Sequence, residues 1–280
     1  KVVDANNRLV LAQAEVDKEV RRILNKLSAK VGQLAAEIEC GLSALGQLDY
    51  AWACGRLSAD MDCSEPIIGR GDDLALKEAR HPLLLLSETD VVANDITLGG
   101  SQAVLVLTGP NTGGKTVALK TVGLCVTMAL AGLHIPAAPG SRVPLAPSIF
   151  SDIGDEQSLD ESLSTFSGHI ANLNLIFGQI QQNSLVLLDE LVVGTDPVQG
   201  AALAQAILES FADRGAKVVV TTHYETLKLL PFTDKRFRNG AMGFNPSTGQ
   251  PSYRLSLDSP GASSALQTAR RLGLADDIVS

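Results

Sequence analysis

The chain has 280 residues, 45% of them hydrophobic and 19% charged, which is enough apolar material for a sizeable core and too much for a disordered chain. A net charge of −8 argues against a main surface built to grip nucleic acid, because neutralising phosphates requires Lys and Arg. No apolar run reaches the length of a membrane-spanning helix and no cleavable signal is recognisable at the start, so no membrane association is expected.

Between Val16 and Trp52 the apolar residues Val16, Val20, Ile23, Leu27, Val31, Leu34, Ile38, Leu42, Leu45 and Trp52 recur mostly at steps of three or four. That is the period of one helix face. Gly32, Gly41 and Gly46 divide the pattern into two or three helices, and basic and acidic residues balance. Residues 1–62 therefore read as a helical region that packs on a neighbour and carries no catalytic group. From about Ile67 short apolar runs alternate with Gly, Pro and Asp. Leu83–Leu86 and Asp90–Leu98 read as strands, followed by a turn at Gly99–Ser101 and a strand at Ala103–Thr108. A helix is expected from Lys115, with later strands at Ser184–Leu188 and Lys217–Thr222, each followed by a helical stretch. Such alternation predicts an α/β fold with a mostly parallel sheet over residues 63–280, preceded by the small all-helical region. Lys235, Arg236 and Arg238 read as a solvated basic loop. Cys40, Cys54, Cys63 and Cys125 form no CxxC pair, so reduced, buried thiols in a cytoplasmic protein are expected.

The first chemical signal lies between the strand ending at Thr108 and the following helix. Gly109-Pro110-Asn111-Thr112-Gly113-Gly114-Lys115-Thr116 fits the phosphate-loop pattern G-x-x-x-x-G-K-[ST]. Its glycines let backbone N–H groups converge on phosphate oxygens at a helix N-terminus. Lys115 is placed to reach the β and γ phosphates and Thr116 to ligate Mg²⁺. Asp152–Ser158 and Ser162–His169 read as a polar loop with Ser or Thr capping a helix that begins near Phe166. The apolar run Ser184–Leu188 ends in Asp189-Glu190, a metal-holding carboxylate followed by a general base. Asp196 and Pro197 read as the cap and first residue of a helix. His223 follows the next strand at the sheet edge, within reach of a γ phosphate or an attacking water.

Together these segments resemble the ATPase domain of the MutS superfamily. The likeness is carried by Ala79-Arg80-His81-Pro82-Leu83-Leu84, Asn94-Asp95-Ile96, Thr108–Thr116 and Ser162–Phe166. Asp152–Ser158, Leu163–His169, Gly194-Thr195-Asp196-Pro197, Pro260-Gly261-Ala262-Ser263 and Arg271-Leu272-Gly273-Leu274 are closer to the MutS2 family than to mismatch-repair MutS. Residues 1–60 resemble the core helices that precede that domain.

The resemblance implies a P-loop ATPase of the ABC type that uses ATP and Mg²⁺ and forms a homodimer through its ATPase domains. Each site would then be built from two subunits. Ser164 would face the partner's nucleotide, Gln157 would sense Mg²⁺ and the attacking water, and Asn111 would contact the γ phosphate. Val91 and Val92 would lie near adenine, and Asp196 would belong to an interface loop. In this family Gly-Ala follows Asp-Glu-Leu and an acidic residue stands a few positions on, whereas this chain has Val192-Val193 and Gln199. The implied role is a nucleotide-driven switch in bacterial cytoplasm that acts on branched DNA and restrains recombination through regions outside this chain. Alternatives are a factor acting on stalled or collided ribosomes, a mismatch-repair-type MutS ATPase, and a dimerisation module with ATP as a structural ligand. The family's nuclease domain is not recognisable here, so ATP turnover without nucleic-acid cleavage is expected of this chain.

Overall fold

The structure, a computed structural model, describes residues 1–69, 71, 73–87, 90–154, 162–244 and 250–259, with Asn111 and residues 162–165 described by their backbone alone. The chain divides into two compact units, Lys1–Arg56 and Leu57–Ser280. In the first, α1 (Val2–Gln33) is followed by α2 (Ala35–Asp60), whose last turn belongs to the second unit. The break falls at Leu34 rather than at a glycine, and neither helix contains a buried residue. The apolar stripe read from the sequence is therefore solvent-facing within this unit: Val20 is 48% and Leu27 54% exposed.

The second unit begins with β1 (Ile67–Ile68), β2 (Leu74–Ala79), the short helix α3 (Pro82–Leu85), β3 (Asn94–Leu98) and β4 (Val104–Thr108). It continues with α4 (Lys115–Leu130), β5 (Arg142–Val143), β6 (Ile149–Asp152), α5 (Ser162–Gln179), β7 (Leu185–Leu188) and α6 (Pro197–Asp213). β8 (Lys217–Thr221), α7 (Leu230–Thr233), β9 (Phe237–Phe244) and β10 (Pro251–Leu257) complete it. Two sheets form, a small one in the order β1-β5-β2-β3 and a large one in the order β10-β9-β4-β8-β7-β6. In the large sheet every pairing is parallel except that of β10 with β9.

The expected strand at Leu83–Leu86 is instead helix α3. Pro82 occupies the first helical position, where no N–H is needed, and the His81 side chain accepts from the Leu84 N–H. An apolar run of four residues carries no period, and the cap decides its form. Of the expected strand Asp90–Leu98 only Asn94–Leu98 pairs, and α5 begins at Ser162, a turn before Phe166.

The large sheet is covered on both faces, so its central strands are apolar throughout. Val104 and Val106 of β4, Val186 and Leu188 of β7, and Val218 and Val220 of β8 pack with Leu173 and Ile176 of α5 and Leu208 and Phe211 of α6. Leu105, Leu107, Leu187 and Val219 point the other way. They pack with Leu119, Val122 and Val126 of α4 and with Leu74, Leu76, Ile96 and Leu98 of the small sheet. Phe211 stacks on Phe177 with centroids 4.3 Å apart, and the Arg214 guanidinium lies 4.9 Å from the Phe177 ring centre. The two sheets are joined through Asn94, whose Nδ2 donates to the Tyr253 carbonyl at 3.0 Å while its Oδ1 accepts from the Leu255 N–H at 2.6 Å. The register of β10 shifts between Pro251 and Leu255, and Tyr253 sits there with φ +55°.

Other expectations shift in detail. Of the four free cysteines only Cys125 is buried; Cys40 is exposed, and Cys54 and Cys63 are half-buried. Burial pushes the Cys125 thiol up to about 12 and the Cys63 thiol up to about 11, so both are poor nucleophiles at neutral pH. Nor is the basic cluster a loop of free cations. Arg236 pairs with Asp234 and Asp213, and Arg238, within β9, pairs with Asp258. Among the described residues no helix is long and apolar enough to cross a membrane.

α4 comes close to the sheet at Gly123, where a β-carbon would stand 2.5 Å from Leu187 Cδ1, whereas Gly168 of α5 has open space. Gly123→Ala is expected to lower the unfolding free energy by about 1–3 kcal/mol through overpacking. Gly168→Ala should raise it by about 0.5–1 kcal/mol through helix propensity. Opposite shifts in the urea midpoint test the close approach; two shifts of the same sign would contradict it.

Candidate functional site

Parallel strands that start together also end together, so β4, β7 and β8 deliver their C-terminal residues to one edge of the large sheet. The chain leaves β4 through Gly109, at φ +127°, and reaches α4 through Gly114, at φ +91°. Those values lie in the region that favours glycine. A β-carbon on Gly109 would also meet Met242 Cβ at 3.1 Å, and one on Gly114 would meet Tyr253 Cδ1 at 3.0 Å. Between them Asn111–Gly113 forms a single 3₁₀ turn after Pro110, with Thr112 exposed. The loop thus feeds directly into the N-terminus of a 16-residue helix.

Lys115 is the first residue of that helix and is 2% exposed, with its Nζ donating to the Gly109 carbonyl at 2.8 Å. Burial holds the ammonium below the ordinary lysine range; Glu190 and Asp189 oppose this and Lys228 adds to it. Thr116 Oγ1 donates to Asp189 Oδ2 at 2.8 Å. The loop after β4 and the strand end of β7 therefore meet at a hydroxyl and a carboxylate.

Asp189 and Glu190 are partly exposed at the end of β7, and the backbone changes character there. Glu190 has φ +49° and Val192 φ +63°, both left-handed, and a β-branched residue in that region is strained. Val192 stands where the resemblance predicts glycine, and its conformation is one glycine adopts freely. The segment is held by the end of β8. Thr221 Oγ1 donates to Asp189 Oδ1 at 2.5 Å and accepts from the Glu190 N–H at 2.8 Å. Tyr224 Oη donates to the Val192 carbonyl at 2.7 Å. Gly200 of α6 makes room for that phenol, since a β-carbon there would come within 2.4 Å of Tyr224 Oη. His223 follows β8 at the same edge with its side chain exposed, its ring 4.6 Å from that of Tyr224.

On the far side of Asp189, Asp152 ends β6. Its carbonyl accepts from the Asp189 N–H at 2.9 Å. Its carboxylate bonds His169 Nδ1 at 2.6 Å and accepts from Asn172 Nδ2 at 2.9 Å. These bonds fix the first half of α5 against the sheet edge. Ser164 lies in the first turn of that helix, where only the backbone is described, and Gln157 lies outside the described residues. Pro260–Ser263 and Arg271–Leu274 are outside them too. Asp196 caps α6 as expected, its Oδ1 accepting from the Val198 and Gln199 N–H groups.

Beside the loop opens a cavity of about 350 Å³ lined by Val91, Val92, His81, Gly114, Val117 and Tyr253, among others. Both valines read from the sequence thus border the start of α4. His81 is buried, and its imidazole is held below the ordinary range by burial and then by Lys120, so it is neutral at pH 7. The sequence reading missed Thr221, Tyr224, Asp152 and Asn172. A polar residue closing the apolar run Lys217–Val220 was the available signal for the first.

The donors at the edge suit a hard cation. Thr116 and Asp189 offer oxygen alone, and among the described residues no group of three or more His, Cys, Asp and Glu gathers as a softer metal would need. Mg²⁺, which keeps most of its water and takes few protein ligands, fits that set.

The family described as MutS domain V matches residues 105–280. Over 278 residues the chain is 49% identical to the endonuclease MutS2 of Pelotomaculum thermopropionicum, covering 99% of this chain and 35% of that protein. It is 46% identical over 279 residues to the endonuclease MutS2 of Clostridioides difficile, covering 100% of this chain and 35% of the relative. The protein of the same name from Geobacillus thermodenitrificans is 45% identical over 278 residues, again with 99% and 35% covered. The chain thus spans about a third of the length of these relatives.

The strain at Val192 has a measurable sign. Val192→Gly exchanges about 1–3 kcal/mol of left-handed strain for about 2 kcal/mol of lost burial, leaving stability within about 1 kcal/mol of the parent. Val220→Gly, equally buried but in ordinary strand geometry, should cost more than about 3 kcal/mol. Urea midpoints decide between this contrast and equal losses, which would sink the strain assignment.

Proposed function

The chain belongs to the MutS2 family, whose ATPase domain it carries, and from that premise we propose that it binds ATP with Mg²⁺ at the shared edge of β4, β7 and β8 and hydrolyses it. The observation that carries this reading is the bond between Thr116 and Asp189. It brings the end of a phosphate-loop motif onto the first of two consecutive carboxylates. The loop N–H groups and the start of α4 receive the phosphates. Lys115, now resting on the Gly109 carbonyl, exchanges that acceptor for β- and γ-phosphate oxygens. Thr116 and Asp189 hold Mg²⁺, which when bound supplies neutralisation of the phosphate charge. Glu190 orients the attacking water and accepts its proton, and His223 donates toward the γ phosphate. The cavity lined by Val91, Val92 and Tyr253 receives the adenine.

In the same proposal the domain works as half of a pair. Ser164, at the start of α5, serves the nucleotide of a second subunit, and Gln157 and Asp196 lie along that contact. Closing on ATP and opening after hydrolysis makes a switch, with branched DNA as the target engaged by parts of the protein beyond this chain. "Endonuclease" in the relatives' names describes proteins of which this segment spans 35%, and we place any cleavage of nucleic acid outside it.

Glu190→Gln is expected to bind a fluorescent ATP analogue within about threefold of the parent while turnover falls by about 10²–10⁴-fold. Lys115→Ala should lose binding itself. Near-normal turnover in both variants would overturn the site. Light scattering of Glu190→Gln should show 29.4 kDa without nucleotide and about twice that with Mg·ATP. An unchanged mass with ATP bound would remove the pairing from the proposal.

A further inference from the structure

Resting on that reading of the site, we propose that Thr221 is a positioning residue for ATP hydrolysis, one that holds Asp189 and Glu190 in a single fixed relation. The parallel register pairs Leu188 with Val220, so the next residues along, Asp189 and Thr221, lie side by side. Thr221 is fully buried, and no solvent can take its place. Its hydroxyl is used in both directions at once, donating to Asp189 Oδ1 at 2.5 Å and accepting from the Glu190 N–H at 2.8 Å. Only a hydroxyl can do this from one atom on a side chain of that size.

The two bonds do different things. The first occupies one carboxylate oxygen of Asp189 and leaves Oδ2 turned toward Thr116, the pair of oxygens proposed to hold the cation. The second fixes the backbone of Glu190 at φ +49°, a conformation a glutamate seldom adopts unless held, and thereby sets the direction in which its side chain leaves the strand end. The order of donors runs from the Glu190 N–H through the Thr221 hydroxyl to the Asp189 carboxylate. A displacement of Asp189 is therefore felt at the backbone of Glu190, with no intervening loop to absorb it.

Thr221→Val keeps the β-branched shape that β8 requires and removes the hydroxyl; Thr221→Ser keeps the hydroxyl and removes a methyl. In the nucleotide-free protein, amide hydrogen exchange at Glu190 should quicken about tenfold or more in Thr221→Val and stay near the parent rate in Thr221→Ser. In turnover, Thr221→Val should lower kcat by about tenfold to a hundredfold with the ATP Kd within about threefold. It should also raise the Mg²⁺ concentration for half-maximal rate several-fold, and Thr221→Ser should restore all three within about threefold. A Thr221→Val protein with parental exchange and parental kcat overturns the proposal, as does a Thr221→Ser protein that fails to restore them. If Thr221→Val does not fold, Thr221→Ala takes its place in the same comparison. Lys115→Ala and Glu190→Gln run in parallel separate the two levels. Normal turnover in those variants would remove the site itself, whereas their inactivity beside a fully active Thr221→Val would remove only the role of Thr221.

Discussion

A parallel strand ladder with no free face governs this molecule. β4 is paired on both edges and covered on both surfaces, and all five of its residues are buried. A strand so enclosed must be apolar along its whole length, so any group that does chemistry has to wait until the strand ends. The same holds for β7 and β8, whose ladders run in step with β4. The polar residues that follow these three strands are gathered at one edge because they have nowhere else to be. Lys115, the exception that is itself buried, is satisfied by a carbonyl and by the two carboxylates opposite.

That edge is held by side chains rather than by regular structure. Thr116 joins the helix start to Asp189, Thr221 joins Asp189 to Glu190, Tyr224 holds the Val192 carbonyl, and Asp152 anchors α5 through His169 and Asn172. Each bond spans a gap between two strand ends or between a strand end and a helix. The backbone between them departs from ordinary strand geometry, with left-handed residues at 190 and 192 and glycine at 194. Local strain is concentrated where the candidate chemistry is, and the rigid ladder beneath supplies the frame that sustains it.

Much of this was legible from residue order. The phosphate-loop motif, the Asp-Glu pair and His223 each follow an apolar run, and the runs proved to be parallel strands with the expected ends to within a residue or so. What the sequence concealed has physical reasons. Leu83–Leu86 is too short for periodicity to separate strand from helix, and the outcome turned on His81 capping across Pro82. The exposed stripe of α1 has the spacing of a buried face, because spacing records only which residues share a side. Thr221 looked like the last residue of a strand. Its bonds depend on register with a strand thirty residues away, which no local pattern encodes. Val192 gave no sign of its left-handed backbone, since valine is the residue type least expected there.

The way Asn94 ties the small sheet to the bulge in β10 makes the cavity beside α4 a shared property of two sheets. Tyr253 forms one wall, and it sits on the strand at the end of the large sheet, the place where fraying begins in most β structure. Affinity for whatever fills the cavity and resistance of that outer strand to local unfolding are consequently two readings of one free energy. A ligand that packs on Tyr253 must slow the opening of β10, and a looser β10 must weaken the ligand by the same factor.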